Sequence, residues 1–324
     1  MKILVTGASG FIGSYLVDKL LEYNFEVLAI VRSNVNLNCN VILIDNFDSS
    51  TDLSEFLQDI DVFIHLAAKV HLMNHLSVDV CESYKKINTD LTYSLAKQAA
   101  NSGVKRFIFL STIKVNGEYT FKDNPFKAEN FNSSLSVYKK AQKCREAFLN
   151  DPYSKSKYDA EQALQYLSLN SNLEIVIIRP PLVYGRGVRG NFDTMVKVVK
   201  KEFPLPFKYI KNKRSLVFVG NLISLIICTI EHPMAVNQIF LVSDREDIST
   251  SKLLCLIYKK LNIKSRLFFF PSKFMKLLFY ITGKKNVYHR LFGSLQVDIS
   301  KTCDVLNWSP PFTLEEGIDN TLKS

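Results

Sequence analysis

The feature that most constrains the fold is a glycine-rich turn close to the start of the chain. An apolar run, Lys2–Thr6, leads directly into a GxxGxxG segment, and apolar residues then recur at helical spacing through Phe11–Tyr23. Small residues between a strand and a helix let the backbone approach a pyrophosphate at the helix N-terminus, where N–H groups and the helix dipole favour negative charge. The segment therefore predicts a dinucleotide-binding turn, formed by Gly7, Ser9, Gly10, Phe11, Ile12 and Gly13.

Short apolar runs and helical segments alternate beyond this turn. Further strands are predicted at Glu26–Val31, Val41–Ile44, Val62–Leu66, Arg106–Leu110, Glu174–Ile178 and Gln238–Val242. Strands separated by helices indicate βαβ units and a parallel sheet that is buried on both faces. We therefore predict an α/β fold with a doubly wound parallel sheet. A Rossmann domain covers residues 1–179 with a returning strand near 238–242, and residues 180–324 mainly form a smaller substrate lobe.

The end of the second predicted strand bears on the choice of cofactor. Sites for NAD usually place an acid about 20 residues after the glycines, where it accepts from the ribose 2′-hydroxyl. This chain has Arg32 followed by Ser33. A guanidinium suits a 2′-phosphate, so Arg32 favours NADP(H). NAD(H) is the alternative, because an arginine can also stack on adenine. Asp45, after the third strand, either accepts from the adenine amine or starts a turn.

A tyrosine and a lysine are the candidate acid/base pair. Tyr153 and Lys157 are spaced i and i+4, which places them on one face of a helix. Acid/base work near neutral pH requires the phenol pKa to fall by about 3 units from about 10, and nearby positive charge favours the phenolate. Thr112 follows the strand Arg106–Leu110. It therefore lies at the carboxyl end of the sheet, where open α/β folds bind ligands.

With these motifs in this order, the chain resembles an extended short-chain dehydrogenase/reductase of the NAD-dependent epimerase/dehydratase family over essentially its whole length. The resemblance implies that Tyr153 is the acid/base and that Thr112 hydrogen-bonds the reacting oxygen. It also implies that Lys157 lowers the tyrosine pKa and holds the nicotinamide ribose. Further cofactor-binding positions are implied at Leu66, Ala67, Ala68, Asn88 and Pro180.

The second lobe resembles the family's segments for a nucleotide diphosphate. The matching positions are Asn191, Arg214 and Arg290, and a salt bridge at the surface is the alternative for each arginine. Asn221 stands where the family usually has an aspartate. His71 follows the cofactor-lining turn closely enough to line a sugar pocket. The substrate implied is a UDP-sugar.

Three functions remain open at this point. A fourth, the 4,6-dehydratase, is disfavoured. Dehydratases of the family carry an Asp-Glu pair after the threonine, where this chain has Ile113 and Lys114. We favour a 4-keto reductase of a UDP-4-keto-6-deoxy-N-acetylhexosamine, because the chain resembles a subgroup of bacterial surface polysaccharide (O-antigen) enzymes whose members carry out this reduction, and because Arg32 agrees with an exchanging NADPH. A UDP-hexose or UDP-N-acetylhexosamine 4-epimerase is the alternative. A non-catalytic NADP-binding sensor is the alternative of another class.

Composition restricts the partners. The formal net charge is +10, from 41 basic and 31 acidic residues. The basic residues are dispersed and no nucleic-acid-binding module is present, so we expect a general composition bias or an anionic substrate rather than nucleic acid. The six cysteines have no metal-ligand spacing and indicate a reducing, cytoplasmic setting. We also expect a homodimer, as is common in the family.

Two segments leave their roles open. The apolar stretch Leu267–Ile281 is interrupted by lysines and does not reach the about 20 residues needed for a membrane span. Its part Ser272–Ile281 either rests on a membrane surface or, as we expect, forms a core helix of the second lobe. Residues 127–150 are an insertion that is either a surface loop or a lid over the sugar, and we favour the surface loop.

Overall fold

Runs of buried apolar side chains place the predicted strands in one central sheet. The structure is a computed structural model that describes residues 1–70, 78–121, 124–131, 151–283 and 285–323. Seven parallel strands have the order β3-β2-β1-β4-β5-β6-β9. Their bounds are β1 Lys2–Thr6, β2 Glu26–Val31, β3 Asn40–Leu43, β4 Val62–His65, β5 Arg106–Leu110, β6 Glu174–Arg179 and β9 Gln238–Leu241. The predicted doubly wound α/β fold is confirmed.

Helices cover both faces of this sheet. In chain order they are α1 Phe11–Glu22, α2 Val78–Tyr84, α3 Leu91–Asn101, α4 Pro152–Leu169, α5 Asn191–Lys200, α6 Val219–Glu231, α7 Thr250–Lys260, α8 Ser272–Ile281, α9 Lys285–Phe292, α10 Ser300–Leu306 and α11 Leu314–Leu322. Alternate strand residues face opposite sides. Ile3 and Val5 pack in the apolar cluster that includes α1 and α6. Leu4 packs in the cluster that includes α3 and α4.

A second, smaller sheet lies in the C-terminal half. It consists of β7 Leu182–Tyr184, β8 Arg214–Phe218 and β10 Asp247–Ile248, with β8 in the centre. β7 is parallel to β8 and β10 is antiparallel to it. Helix α6 lies within the residues that we assigned mainly to the second lobe, but it packs against α1 of the first. The exact division of the chain into two lobes stays a prediction.

Helix α8 differs from the sequence prediction. Only Met275 of its ten residues is buried, so the expectation of a core helix is wrong. The physical reason is that apolar residues at helical spacing indicate a helix face without indicating whether a neighbour covers it. In the part of the chain that the structure describes, no helix is both long and apolar enough to cross a bilayer.

Candidate active site

Four neighbouring parallel strands end at the same edge of the sheet. The loops that follow β1, β4, β5 and β6 begin at residues 7, 66, 111 and 180. β1 pairs with β2 on one side and with β4 on the other, so the strand order reverses between β1 and β4. Ligands of open α/β sheets bind in the crevice outside such a reversal point. The predicted catalytic and cofactor-binding positions follow strands at this edge or lie on helices that pack behind it.

The glycine turn requires glycine for steric reasons. Gly7 has φ of +73°, and a Cβ there would lie 2.7 Å from the backbone nitrogen of Ala67. Gly10 caps α1, no side chain bonds to the helix start, and its first turn has no acidic residue. Ser9 and Gly10 are exposed, while Phe11 and Ile12 are partly buried. An uncapped helix start without nearby negative charge fits the phosphates of a dinucleotide.

The turn after β4 is tied to the helix that carries the tyrosine. The amide of Lys69 donates to Asn88 Oδ1 at 2.8 Å, and Asn88 Nδ2 donates to Ser156 Oγ at 3.0 Å. Asn88 is fully buried in the π-helical segment Lys85–Asp90, between α2 and α3. Leu66, Ala67 and Ala68 begin this turn and are partly buried. Asn88 therefore fixes the loop of Ala67 and Ala68 against α4.

Tyr153 lies in the first turn of α4 and meets Thr112 after β5. Burial raises the pKa of Tyr153 to about 12, and a side-chain hydrogen bond with Thr112 opposes the rise. The ring of Tyr84 lies 6.1 Å from that of Tyr153, and Lys114 Nζ lies 5.8 Å from the centre of the same ring. The shift is opposite to the expected fall, because the cost of burying a phenolate exceeds the effect of the hydrogen bond. Tyr153 is therefore protonated at neutral pH.

Lys157 lies one turn further along α4 and is almost fully buried. Its ammonium donates to the carbonyl oxygen of Leu110 at 2.8 Å and lies 4.3 Å from the centre of the Phe109 ring. Burial lowers the pKa of Lys157 to about 7, although the negative charge of Glu161 acts to raise it. Lys157 therefore titrates close to neutral pH and is held against the carboxyl end of β5.

A buried ion pair stands behind the tyrosine and lysine. Arg179, the last residue of β6, donates to Glu161 of α4 from Nε at 2.9 Å and from a terminal nitrogen at 2.5 Å. Ser111 also donates to Glu161, and Arg179 donates to Asn116 Oδ1 at 2.9 Å. The Glu161 carboxylate holds the pKa of Arg179 above its usual value against the effect of burial. This network joins α4 to the ends of β5 and β6.

Two arginines approach each other in the second lobe. Burial and the charge of Arg290 lower the pKa of Arg214 to about 10, and no carboxylate of the described residues is among the charges acting on it. Arg214 donates to the carbonyl oxygen of Gly293 at 3.1 Å. Arg290 is exposed on α9. Two neighbouring guanidinium groups of this kind could hold a polyanion. Asn191 is exposed at the start of α5.

Other predicted positions have different outcomes. Arg32 and Asp45 are exposed after β2 and β3. Pro180 is buried and accepts from the amide of Ile113 at 2.9 Å. Asn221, which stands where the family usually has an aspartate, is fully buried. It donates to Asp244 and to the carbonyl oxygen of Phe312, so it joins elements of the protein interior. His71 and residues 132–150 of the insertion lie outside the described residues.

Several polar residues of the site were missed from the sequence. His65 is fully buried, and its two ring nitrogens form hydrogen bonds with Thr6 Oγ1 (2.7 Å) and Thr92 Oγ1 (3.0 Å). Burial lowers the pKa of His65 to about 3. Lys114 pairs with Asp151 at 3.0 Å beside Tyr153. A histidine at the end of an otherwise apolar strand is the signal that could have identified His65. The pair of Lys114 and Asp151 depends on a contact across 37 residues, which a local sequence pattern does not reveal.

Comparison with known proteins gives consistent matches. A model of the NAD-dependent epimerase/dehydratase family matches residues 3–243. UDP-glucose 4-epimerase of Vibrio cholerae is 41% identical, covering 99% of this chain and 94% of the relative. An N-acetyl-alpha-D-glucosaminyl-diphospho-ditrans,octacis-undecaprenol 4-epimerase of Escherichia coli O157:H7 is 24% identical, covering 99% and 94%. The crystal structure of UDP-glucuronic acid 4-epimerase from Bacillus cereus with NAD superimposes with a TM-score of 0.74 at 24% identity, covering 99% and 97%.

Proposed function

This chain belongs to the NAD-dependent epimerase/dehydratase family, and from that premise we propose that it is a nicotinamide-dependent UDP-sugar 4-epimerase. The observation that carries the proposal is the hydrogen-bonded pair of Thr112 and Tyr153, which lies at the same sheet edge as the glycine turn. The name of the Vibrio cholerae relative supports the choice of a UDP-hexose and of carbon C4.

In this proposal Tyr153 moves one proton at its phenol oxygen. It takes the proton of the sugar C4 hydroxyl as that carbon is oxidised, and it returns the proton when the ketone is reduced on the other face. Thr112 holds the same sugar oxygen by a hydrogen bond. When bound, a nicotinamide cofactor supplies hydride transfer at the sugar carbon and, in its oxidised form, a positive charge that favours the phenolate. Lys157 holds the ribose of that cofactor and adds to the positive charge.

The two ends of the substrate have separate binding groups in this proposal. The pair of Arg214 and Arg290 binds the diphosphate, because two guanidinium groups satisfy several phosphate oxygens at once. The sugar then lies toward Thr112 and Tyr153. The residues after Thr112 are Ile113 and Lys114, so no carboxylate pair is present there for elimination of water. Lys114 instead forms an ion pair with Asp151.

The direct test is interconversion of UDP-sugars by the purified protein. We expect UDP-glucose or UDP-N-acetylglucosamine to be converted to its 4-epimer, with no net change in the amount of reduced cofactor. Chromatography or proton NMR measures the conversion. Tyr153→Phe should slow the conversion by about 10²–10⁴-fold, and Tyr166→Phe, an exposed position on the same helix, should leave it unchanged. Absence of conversion with every UDP-sugar tested, in a folded protein that binds cofactor, would contradict the proposal.

A 4-keto reductase is the second candidate, because two observations favour it. Arg32 is exposed after β2 with a side chain suited to a 2′-phosphate. Tyr153 has a raised pKa, so it is in the protonated form that a reductase uses to protonate a ketone oxygen. This function predicts stoichiometric oxidation of NADPH on addition of UDP-4-keto-6-deoxy-N-acetylglucosamine, which an epimerase does not require.

The preference between NAD and NADP is a separate proposal that rests on Arg32. If Arg32 contacts a 2′-phosphate, Arg32→Asp should weaken NADP(H) binding by about tenfold or more, since hydrogen bonds to charged groups contribute about 1.5–3 kcal/mol. NAD(H) binding should be retained. Equal effects on the two cofactors would assign Arg32 to the adenine rather than to the phosphate.

We also propose a homodimer that includes α4. Tyr166 and Leu169 are large apolar side chains exposed near the end of this helix. A dimer through α4 would cover them. Light scattering of the purified protein and of a Tyr166→Glu variant tests this, with a monomeric variant as the expected result.

A further inference from the structure

Helix α8 carries an apolar stripe that no part of the described chain covers. Phe274, Leu277, Leu278 and Ile281 are spaced i, i+3, i+4 and i+7, so they share one helix face. Their exposed fractions are 61%, 57%, 55% and 74%. Phe268, Phe269 and Phe270, directly before the helix, are also exposed. Large apolar side chains in such a contiguous patch mark an interaction surface.

The helix is nevertheless firmly attached to the protein. Met275 is buried beneath it, and the Phe279 ring lies 6.1 Å from that of Tyr288 and 6.5 Å from that of Phe292. Both partners lie on α9. Before the helix, the amide of Lys208 donates to the carbonyl of Phe268 at 3.1 Å. The apolar stripe is therefore presented outward by a helix whose opposite side is packed.

The sequence segment that contains this helix has an excess of basic residues, of which Lys260 and Arg266 pair with carboxylates from other segments. Residues 248–297 contain ten basic side chains and no aspartate or glutamate. The remaining residues carry 31 basic and 31 acidic side chains, so this one segment accounts for the whole net charge of +10. The excess charge therefore reflects the absence of acidic residues from this segment, since basic residues occur throughout the chain. Lys273 and Lys276 lie on α8 itself and are exposed.

We propose that the face formed by α8 and residues 268–270 docks on the surface of an anionic lipid bilayer. A helix that presents apolar side chains beside lysines lies in the interface plane, with the apolar stripe among the acyl chains and the ammonium groups at the lipid phosphates. The 50-residue segment without a carboxylate fits this occupant. A second copy of the chain fits poorly, because a symmetric contact through the same face would bring two positively charged surfaces together.

The test is co-sedimentation of the full-length protein with vesicles of two compositions. We expect binding to vesicles of equal parts phosphatidylglycerol and phosphatidylcholine and little binding to phosphatidylcholine alone. The double variant Phe274→Ser/Ile281→Ser should bind at least about tenfold more weakly, because each side chain loses burial in the acyl region. Lys273→Gln/Lys276→Gln should weaken binding by about fivefold for each lysine. Raising the ionic strength from about 0.1 M to about 1 M should also weaken it.

A matched control separates this face from exposed apolar side chains in general. Tyr23 and Met234 are 57% and 60% exposed and lie after α1 and before β9. The variant Tyr23→Ser/Met234→Ser should bind vesicles like the wild type. Equal binding by the Phe274/Ile281 variant and the wild type would overturn the proposal, as would no vesicle binding by the wild type. Self-association in solution that depends on Phe274 and Ile281 would contradict the bilayer proposal and would identify a second copy of the chain as the partner of this face. UDP-sugar conversion without vesicles should be the same for all variants, so failure of the proposed function is detected separately.

Discussion

The buried pair of Glu161 and Arg179 gives the most sharply defined perturbation, the substitution Glu161→Gln. Glutamine keeps the shape of the side chain and removes its charge. The exposed fraction of each side chain is 1% or less, so water cannot replace the lost carboxylate. Arg179 then retains Asn116 as a neutral acceptor. Removing one partner of a buried ion pair typically destabilises a protein by about 3–5 kcal/mol.

The same substitution has an expected thermal effect. With about 2.1 cal/mol/K of unfolding entropy per residue, a loss of about 4 kcal/mol in a chain of 324 residues lowers the Tm by about 6 °C. The pKa of Lys157 should also fall further, because Glu161 is the charge that raises it. Thermal unfolding monitored by circular dichroism measures the fall in Tm, and the pH dependence of cofactor binding measures the fall in the pKa of Lys157.

Two variants serve as controls for this prediction. Asp159→Asn breaks the exposed pair with Lys155 on the same helix and should cost no more than about 0.5 kcal/mol. The double variant Glu161→Gln/Arg179→Met removes both charges and should recover much of the lost stability, since a neutral replacement of both partners is often tolerated. If Glu161→Gln costs as little as Asp159→Asn, the pair is not the buried support described above.

Three further predictions concern catalysis, substrate binding and pH. Tyr153→Phe should lower kcat by about 10²–10⁴-fold with little change in the Kd of the nucleotide sugar, measured by steady-state kinetics and calorimetry. Arg214→Gln should raise the Kd of UDP by about 10–100-fold, whereas Arg266→Gln, at an exposed ion pair with Glu202, should not. The pKa of His65 is about 3 in the folded protein and about 6.5 in the unfolded chain. Because the unfolded state binds the proton first, stability is lost as the pH falls below about 6.5, by about 2 kcal/mol at pH 5. Between pH 7.5 and pH 5, the free energy of unfolding of His65→Gln should fall by about 2 kcal/mol less than that of the wild type. An equal fall in both proteins would assign the effect to other groups.

The fold could be predicted because its signals are local. The strands β1, β2 and β5 have the predicted bounds, since each is a short apolar run with a turn or helix on either side. The glycine turn was identified in the same way, from its position between a strand and a helix. Helix α8 shows the limit of this approach. Its apolar spacing predicts a helix, but the absence of a covering element depends on the arrangement of distant segments.

The electrostatics of the site depend on contacts that no local pattern contains. Spacing alone places Tyr153 and Lys157 on one face of α4, and Glu161 follows Lys157 at the same interval of four. A carboxylate on that face is buried with Lys157, so it requires a cation from another element. That cation is Arg179 at the end of β6, directly before Pro180, which the sequence resemblance associated with the cofactor. The periodicity of one helix therefore predicts that Glu161 needs a partner, and only the adjacent strand of the sheet identifies it.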